Sequence, residues 1–212
     1  MRLARPHGDI PVCGSRFWGN PALPNGVDYP EYCDEDGDML QYRFICQINL
    51  EDVAPFDINE LFPKEGLLLF FAKIGHYIGD FDDVDSVSGF ISEPEDVKVL
   101  LFRNCDDDSF REVALLDEND KPVSPSELSI SFTLDRYEQA DDHSLLSNPD
   151  HREWEEWDEP YEDWRILLQV DSFEGDDFNL NFMDCGVLDF LISPQDLLAG
   201  RFDNVRAVVL ST

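Results

Sequence analysis

Tyr42-Arg43-Phe44-Ile45-Cys46-Gln47-Ile48-Asn49 is answered, 122 positions further on, by Trp164-Arg165-Ile166-Leu167-Leu168-Gln169-Val170-Asp171. Strand periodicity puts Tyr42, Phe44, Cys46 and Ile48 on one apolar face, and Trp164, Ile166, Leu168 and Val170 on its counterpart. The opposite faces both read Arg-x-apolar-x-Gln-x-(Asn or Asp). An amide inside an apolar strand must find partners or cost about 1–3 kcal/mol. Two uses fit the paired glutamines. They satisfy loop backbone where two halves meet, or they line a polar cleft between the halves and reach a ligand.

Working outward, Phe17-Trp18-Gly19-Asn20-Pro21 is matched by Leu145-Leu146-Ser147-Asn148-Pro149. Gly66-Leu67-Leu68-Leu69-Phe70-Phe71 is matched by Gly186-Val187-Leu188-Asp189-Phe190-Leu191. Three blocks in one order indicate internal duplication. The chain reads as a single domain, 1–212, built of two repeats at about 1–104 and 127–212. An acidic, proline-containing loop region joins them, with Asp106-Asp107-Asp108 and Pro122-Val123-Ser124-Pro125.

Strands are predicted at 41–49, 66–74, 97–103, 111–116, 127–134, 164–171, 186–192 and 205–211. Residues 1–40 read as loop-rich, punctuated by Pro11, Pro21, Pro24 and Pro30. Three short helices are expected. One begins at Pro149 with Asn148 as its cap and stops at Pro160, and one covers Arg136 to Leu146. The third opens at Ser193-Pro194 and closes at Gly200. The fold class is therefore α+β and mainly β.

The blocks also carry a family resemblance. Ser15-Arg16-Phe17-Trp18-Gly19-Asn20-Pro21, the run Phe44 to Leu50, the run Leu61 to Phe71, Leu167 to Ser172, Asp184 to Leu188 and Arg201-Phe202-Asp203-Asn204-Val205 resemble successive blocks of the YwqG-like family. The resemblance spans nearly the whole chain. It implies branching antiparallel sheets around a barrel-like centre, in a largely bacterial domain of unknown function. It supplies no catalytic residue. The family has a Gly-Gly pair where this chain has Trp18-Gly19, and a Gly followed by a Gln around Leu145 to His151, where this chain has Ser147 and no Gln.

The charge is extreme: 47 acidic against 15 basic residues, a formal net of −32. Such a field repels nucleic acid and anionic lipid and speeds encounter with a basic protein. Arginine outnumbers lysine and aspartate outnumbers glutamate, a balance that salt adaptation or plain solubility also explains. No apolar run is long enough to span a bilayer, and Met1 to Gly8 has no apolar signal segment, so a cytoplasmic protein is expected. The five cysteines form no Cys-x-x-Cys pair and read as reduced and structural.

Catalytic and metal motifs are absent. His7, His76, His143 and His151 have no ligand spacing, and no Walker loop, Gly-x-Ser-x-Gly or Gly-x-Gly-x-x-Gly occurs. Asp34 to Asp38 and Gly79 to Asp85 read as turns rather than calcium loops, because the closing bidentate Glu is missing. No metal and no cofactor are expected.

Two sets of binding candidates remain. Arg16, Trp18, Gln47 and Gln169 would line the cleft. Trp154, Glu155, Glu156, Trp157, Asp158 and Glu159 would form an aromatic anchor ringed by carboxylates, suited to a Lys- or Arg-rich partner. The leading functional reading is a non-catalytic cytoplasmic binding protein with a strongly acidic surface. Its concrete form is an immunity-type inhibitor of a basic toxin. Two alternatives stay open: an enzyme or small-ligand binder using the cleft, and a housekeeping protein whose acidity is environmental.

Overall fold

Arg43–Asn49 and Arg165–Asp171 each form a seven-residue strand at the centre of a sheet, buried along all but their ends. In the computed structural model the described residues are 1–34, 36–74, 90–117, 119–134, 143–147, 159–174, 179–180 and 186–210. Along the chain the first strands are β1 (Arg2–Ala4), β2 (Arg16–Phe17), β3 (Ala22–Pro24), β4 (Glu31–Cys33), β5 (Met39–Gln41) and β6 (Arg43–Asn49). After α1 (Leu50–Val53) come β7 (Leu67–Ala72), β8 (Val97–Phe102), β9 (Phe110–Glu112), β10 (Leu128–Ser131) and β11 (Ser144–Ser147). The last elements are β12 (Arg165–Asp171), β13 (Phe173–Glu174), β14 (Asn179–Leu180), β15 (Val187–Ile192), α2 (Pro194–Ala199) and β16 (Arg206–Leu210).

Two compact units result. One holds residues 2–72 and 98–133, the other residue 1, 73–97 and 134–212. The first contains the antiparallel sheet β1-β10-β2-β6-β7-β8, with the ribbons β3-β9 and β4-β5 branching from the chain around it. The second contains β11-β12-β15-β16 and the ribbon β13-β14. The fold is mainly β with few short helices, and none of the sheets closes into a barrel among the described residues.

The duplication is visible in detail within each unit. β2-β6-β7-β8 and β11-β12-β15-β16 have the same order. Phe17 pairs with Cys46, as Leu145 pairs with Leu168. Trp18 and Leu146, each just past those residues, both take left-handed backbone, at φ 57° and 55°. Ser15 Oγ accepts the Asn49 amide at 2.9 Å, and His143 Nδ1 accepts the Asp171 amide at 3.1 Å. The amides of Leu50 and Ser172 donate to the carbonyls of Gly66 and Gly186.

One shared feature overturns the expected faces. The β6–β7 register shifts between Phe44 and Cys46, and the β12–β15 register shifts between Ile166 and Leu168. An extra residue at Ile45 and at Leu167 makes a β-bulge, which advances the side-chain alternation by one. Phe44 therefore shares a face with Gln47, opposite Phe71 and Leu69, while Cys46 and Ile48 lie with Phe70 and Leu68 on the other. In β12 likewise Ile166 shares the face of Gln169, and Leu168 and Val170 take the other.

Both faces are consequently apolar and closed. Tyr42, Phe44, Leu67, Leu69 and Phe71 form one buried cluster with Tyr29 and Phe110. Ile166, Leu191 and Val208 form another, with Trp164 and Ile91 packed against it. Each fully buried Leu or Phe contributes roughly 1.5–3 kcal/mol, so these strands anchor their units.

The capped helices follow local chemistry. Ser193 Oγ accepts the Asp196 amide, Pro194 fills the first turn, and Gly200 closes α2 at φ 60°, as its sequence predicts. The Asp34 to Asp38 stretch is the expected turn, Asp34 Oδ1 accepting the amides of Asp36 and Asp38 between β4 and β5. The helix expected over 136–146 is corrected at its end. Ser144–Ser147 is a strand paired with β12, because the Leu145-Leu146 pair is recruited to the sheet as Phe17 is in the other repeat. Residues 1–40 hold five short strands rather than loop alone. The helix expected after Asn148 and the Gly79 to Asp85 turn lie outside the described residues.

Candidate functional site

The two glutamines sit at matching register positions and meet opposite fates. Gln47 is fully buried in β6, between Arg16 and Leu69 in register. Its Oε1 accepts the Ala22 amide at 2.8 Å, and its Nε2 donates to the carbonyls of Val12 and Gly14 at 2.8 Å each. Arg16 in β2 is also fully buried. Its Nη1 donates to Glu112 and to Glu127, and its Nη2 donates to the carbonyls of Pro11 and Val12. The two side chains thus clasp the 11–14 segment through a shared Val12 carbonyl, and the two carboxylates neutralise the guanidinium. This is the loop-backbone use of the amide.

Gln169 lies in the other unit, also at zero exposure, with neither Nε2 nor Oε1 hydrogen-bonded. Its register neighbours are Ser144 on β11 and Asp189 on β15, the latter a carboxylate at zero exposure. Of the remaining candidates, Trp18 is half-buried with its ring 5.0 Å from that of Phe17. Glu159 is exposed in a turn. Trp154, Glu155, Glu156, Trp157 and Asp158 lie outside the described residues.

A cleft that the linear sequence does not announce opens in the unit holding Gln47. It measures about 620 Å³, and Asp9, Glu51, Asp52, Asp106 and Asp107 contribute to its lining. Its floor is built by short polar links. Ser15 Oγ donates to Asp52 at 2.7 Å, Asn49 Nδ2 donates to the Cys13 carbonyl, and the Cys13 amide donates to Asp107 at 2.8 Å. Asn49 also caps α1 through the Glu51 amide, which fixes where Glu51 and Asp52 emerge. The signal was scattered over four segments brought together by sheet pairing, so spacing alone could not reveal it.

The electrostatics of this cleft are one-sided. Hydrogen bonds from the Ser109 hydroxyl and the Asp108 amide hold Asp106 below the usual carboxylate range. Burial first, then the neighbouring Cys105 and Asp107, push the Cys13 thiol up to about 12. Burial likewise raises Cys105. Both thiols are protonated at neutral pH and are weak nucleophiles. The cleft favours cations and offers no activated sulfur. Among the described residues no cluster of three or more His, Cys, Asp or Glu side chains could hold a metal ion. Nor is any helix there long and apolar enough to cross a membrane.

A duplicated, branching β-sheet scaffold with a buried Gln at the same station of each repeat defines the class of protein. The chain belongs to the family described as a domain of unknown function, DUF1963, which matches residues 15–209 and is the family of the YwqG-like resemblance. No curated protein matches the chain.

Proposed function

We propose that the protein is a non-catalytic binding protein for a cationic partner, in its concrete form an immunity-type inhibitor that covers a basic toxin in the bacterial cytoplasm. One observation carries the reading: a cleft of about 620 Å³ gathers five carboxylates around two protonated thiols. A basic loop entering it would meet a focused negative potential inside a chain of net charge −32. The acidic, aromatic stretch from Trp154 to Asp163 adds the same sign elsewhere in the sequence.

The test begins with capture of partners from a source lysate at low salt, followed by association kinetics for the captured protein. A basic partner is expected, with an association rate that falls steeply between low and high salt. Asp9→Asn combined with Glu51→Gln should slow association about tenfold, because rim charges act mainly on the encounter rate. A partner whose binding ignores both salt and this double substitution would remove the reading.

A further inference from the structure

Two cysteines far apart in the sequence meet in the lining of the acidic cleft. Cys13 lies in the turn before β2, and Cys105, 92 positions later, lies in the connection from β8 to β9. Both line the cleft, and both pack against the same buried apolar cluster. The Cys13 amide donates to Asp107 at 2.8 Å, which ties the turn to the connection two residues past Cys105. The Cys13 thiol in turn donates a hydrogen bond to the Cys105 sulfur. Both are free thiols, Cys13 buried and Cys105 half-buried. A disulfide needs its sulfurs about 2 Å apart and its two Cβ atoms about 4 Å apart. Neither cysteine belongs to a strand, so small torsional changes in a turn and a connection supply the last approach.

The surroundings select the reagent. Asp9, Glu51, Asp52, Asp106 and Asp107 line the cleft against one histidine, His7. Such a field concentrates cations and turns anions away. Burial, with Glu51, Asp107 and Asp106 behind it, opposes ionisation of Cys105, and burial opposes that of Cys13. Thiols that gain nothing by ionising react slowly and, once joined, part slowly and are hard to reduce.

We propose that Cys13 and Cys105 form a redox modification site, which closes to a disulfide when a cationic low-molecular-weight disulfide enters the cleft. Cys105, the more exposed thiol, loses its proton to water and attacks one sulfur of the reagent. One reagent thiolate leaves and takes up a proton. Cys13, deprotonated in its turn, attacks the Cys105 sulfur of the mixed disulfide and expels the second thiolate, which is protonated likewise. Two protein thiols are oxidised to one disulfide, and one reagent disulfide is reduced to two thiols, with no other reactant. The bond staples the 11–14 segment, already held by Arg16 and Gln47, to the loop that carries Asp106 and Asp107. The site shares its place with the proposed function but needs no protein partner, so the two can fail separately.

The experiment treats the folded full chain with cystamine, a cation, or with glutathione disulfide, an anion. Remaining thiols are blocked with iodoacetamide, and the peptides are mapped by mass spectrometry. Cystamine should yield a peptide pair joined through Cys13 and Cys105, about tenfold or more faster than glutathione disulfide does. The joined protein should melt about 5 °C or more higher, because the bond closes a long loop of the unfolded chain. In Cys13→Ser the reaction should stop at a cysteamine adduct on Cys105. Asp9→Asn combined with Glu51→Gln should narrow the ratio of the two rates. No joined pair under excess cystamine, pairing that arises only in urea, or a lowered melting temperature overturns the inference. So does an equal rate with the two reagents, which would put the attack outside the acidic field.

Discussion

The two repeats share a scaffold but not a polar interior. In the first, the Gln47 amide and the Arg16 guanidinium hold a loop segment down, and each hydrogen-bonding atom of Gln47 is used. In the second, the same amide is buried without a partner beside an aspartate. Strand order, bulge position and left-handed kink survived duplication because they are properties of backbone packing. The side chains that finish the site diverged, because each needs only local compatibility. Conserved backbone with divergent buried polarity is what a scaffold keeps when its copies take different tasks.

The largest effect that would sharpen this contrast is at the glutamines. Gln47→Leu orphans the Ala22 amide and the Gly14 carbonyl, leaving the Val12 carbonyl to Arg16 alone, and should cost about 3 kcal/mol or more in urea unfolding. Gln169→Leu removes an unpaired buried amide and should be neutral or stabilising by about 1 kcal/mol. Equal losses at both positions would break the comparison. Next, Arg16→Met should cost about 2–3 kcal/mol, less than a wholly buried ion pair because Glu112 and Glu127 remain partly exposed. A cost below that of an ordinary surface substitution would mean that Arg16 does not hold the loop.

Smaller effects test the shared backbone. Trp18 and Leu146 both occupy the left-handed region, where a non-glycine residue is held at about 1–2 kcal/mol of strain. Replacing either with Gly should change stability by less than about 1 kcal/mol, as relief of strain offsets lost side-chain contact. A large loss at one position alone would separate the two kinks.

The smallest effect concerns a pair of prolyl turns. Pro94 and Pro194 each open a turn whose third residue is an aspartate, Asp96 and Asp196. Burial raises Asp196, but hydrogen bonds from Arg201, Ser193 and Asn204 outweigh it and hold the carboxyl below its ordinary value. A depressed carboxyl stabilises the fold above its unfolded pKa, and that contribution is lost as pH falls through the folded value. Asp196→Asn should therefore lower the urea midpoint slightly at pH 7, by an amount that shrinks towards zero as the pH falls through the depressed folded value of the carboxyl. A difference that persists undiminished in acid would point to packing instead of charge.

Much of the fold was legible because the signals were local. β-branched and aromatic runs located β6, β7, β12, β15 and β16 to within a few residues, and Ser193, Pro194 and Gly200 marked both ends of α2. The faces were misread because a bulge leaves no compositional trace in an all-apolar run such as Phe44-Ile45-Cys46, where every neighbour is equally content in the core. The tiny strands before residue 40 were hidden by prolines that sit at strand ends. Of the site, the glutamine pair stood out by contrast with its surroundings. Their different partners did not, since hydrogen bonding to Val12, Gly14 and Ala22 depends on where distant loops pass. The Trp18 departure from the family's Gly-Gly pair now has a physical reading: this position has a backbone that glycine adopts without strain.

The bulges at Ile45 and Leu167 have a hereditary consequence. A strand encodes inside and outside in a two-letter rhythm, and one inserted residue is a frameshift in that rhythm. Removing Ile45 or Leu167 would restore strict alternation and swing everything on one side of the deletion to the opposite face. A single lost codon at either place would thus be more disruptive than many substitutions. Both copies carry the insertion at the same place, so either deletion would disturb its own sheet in the same way.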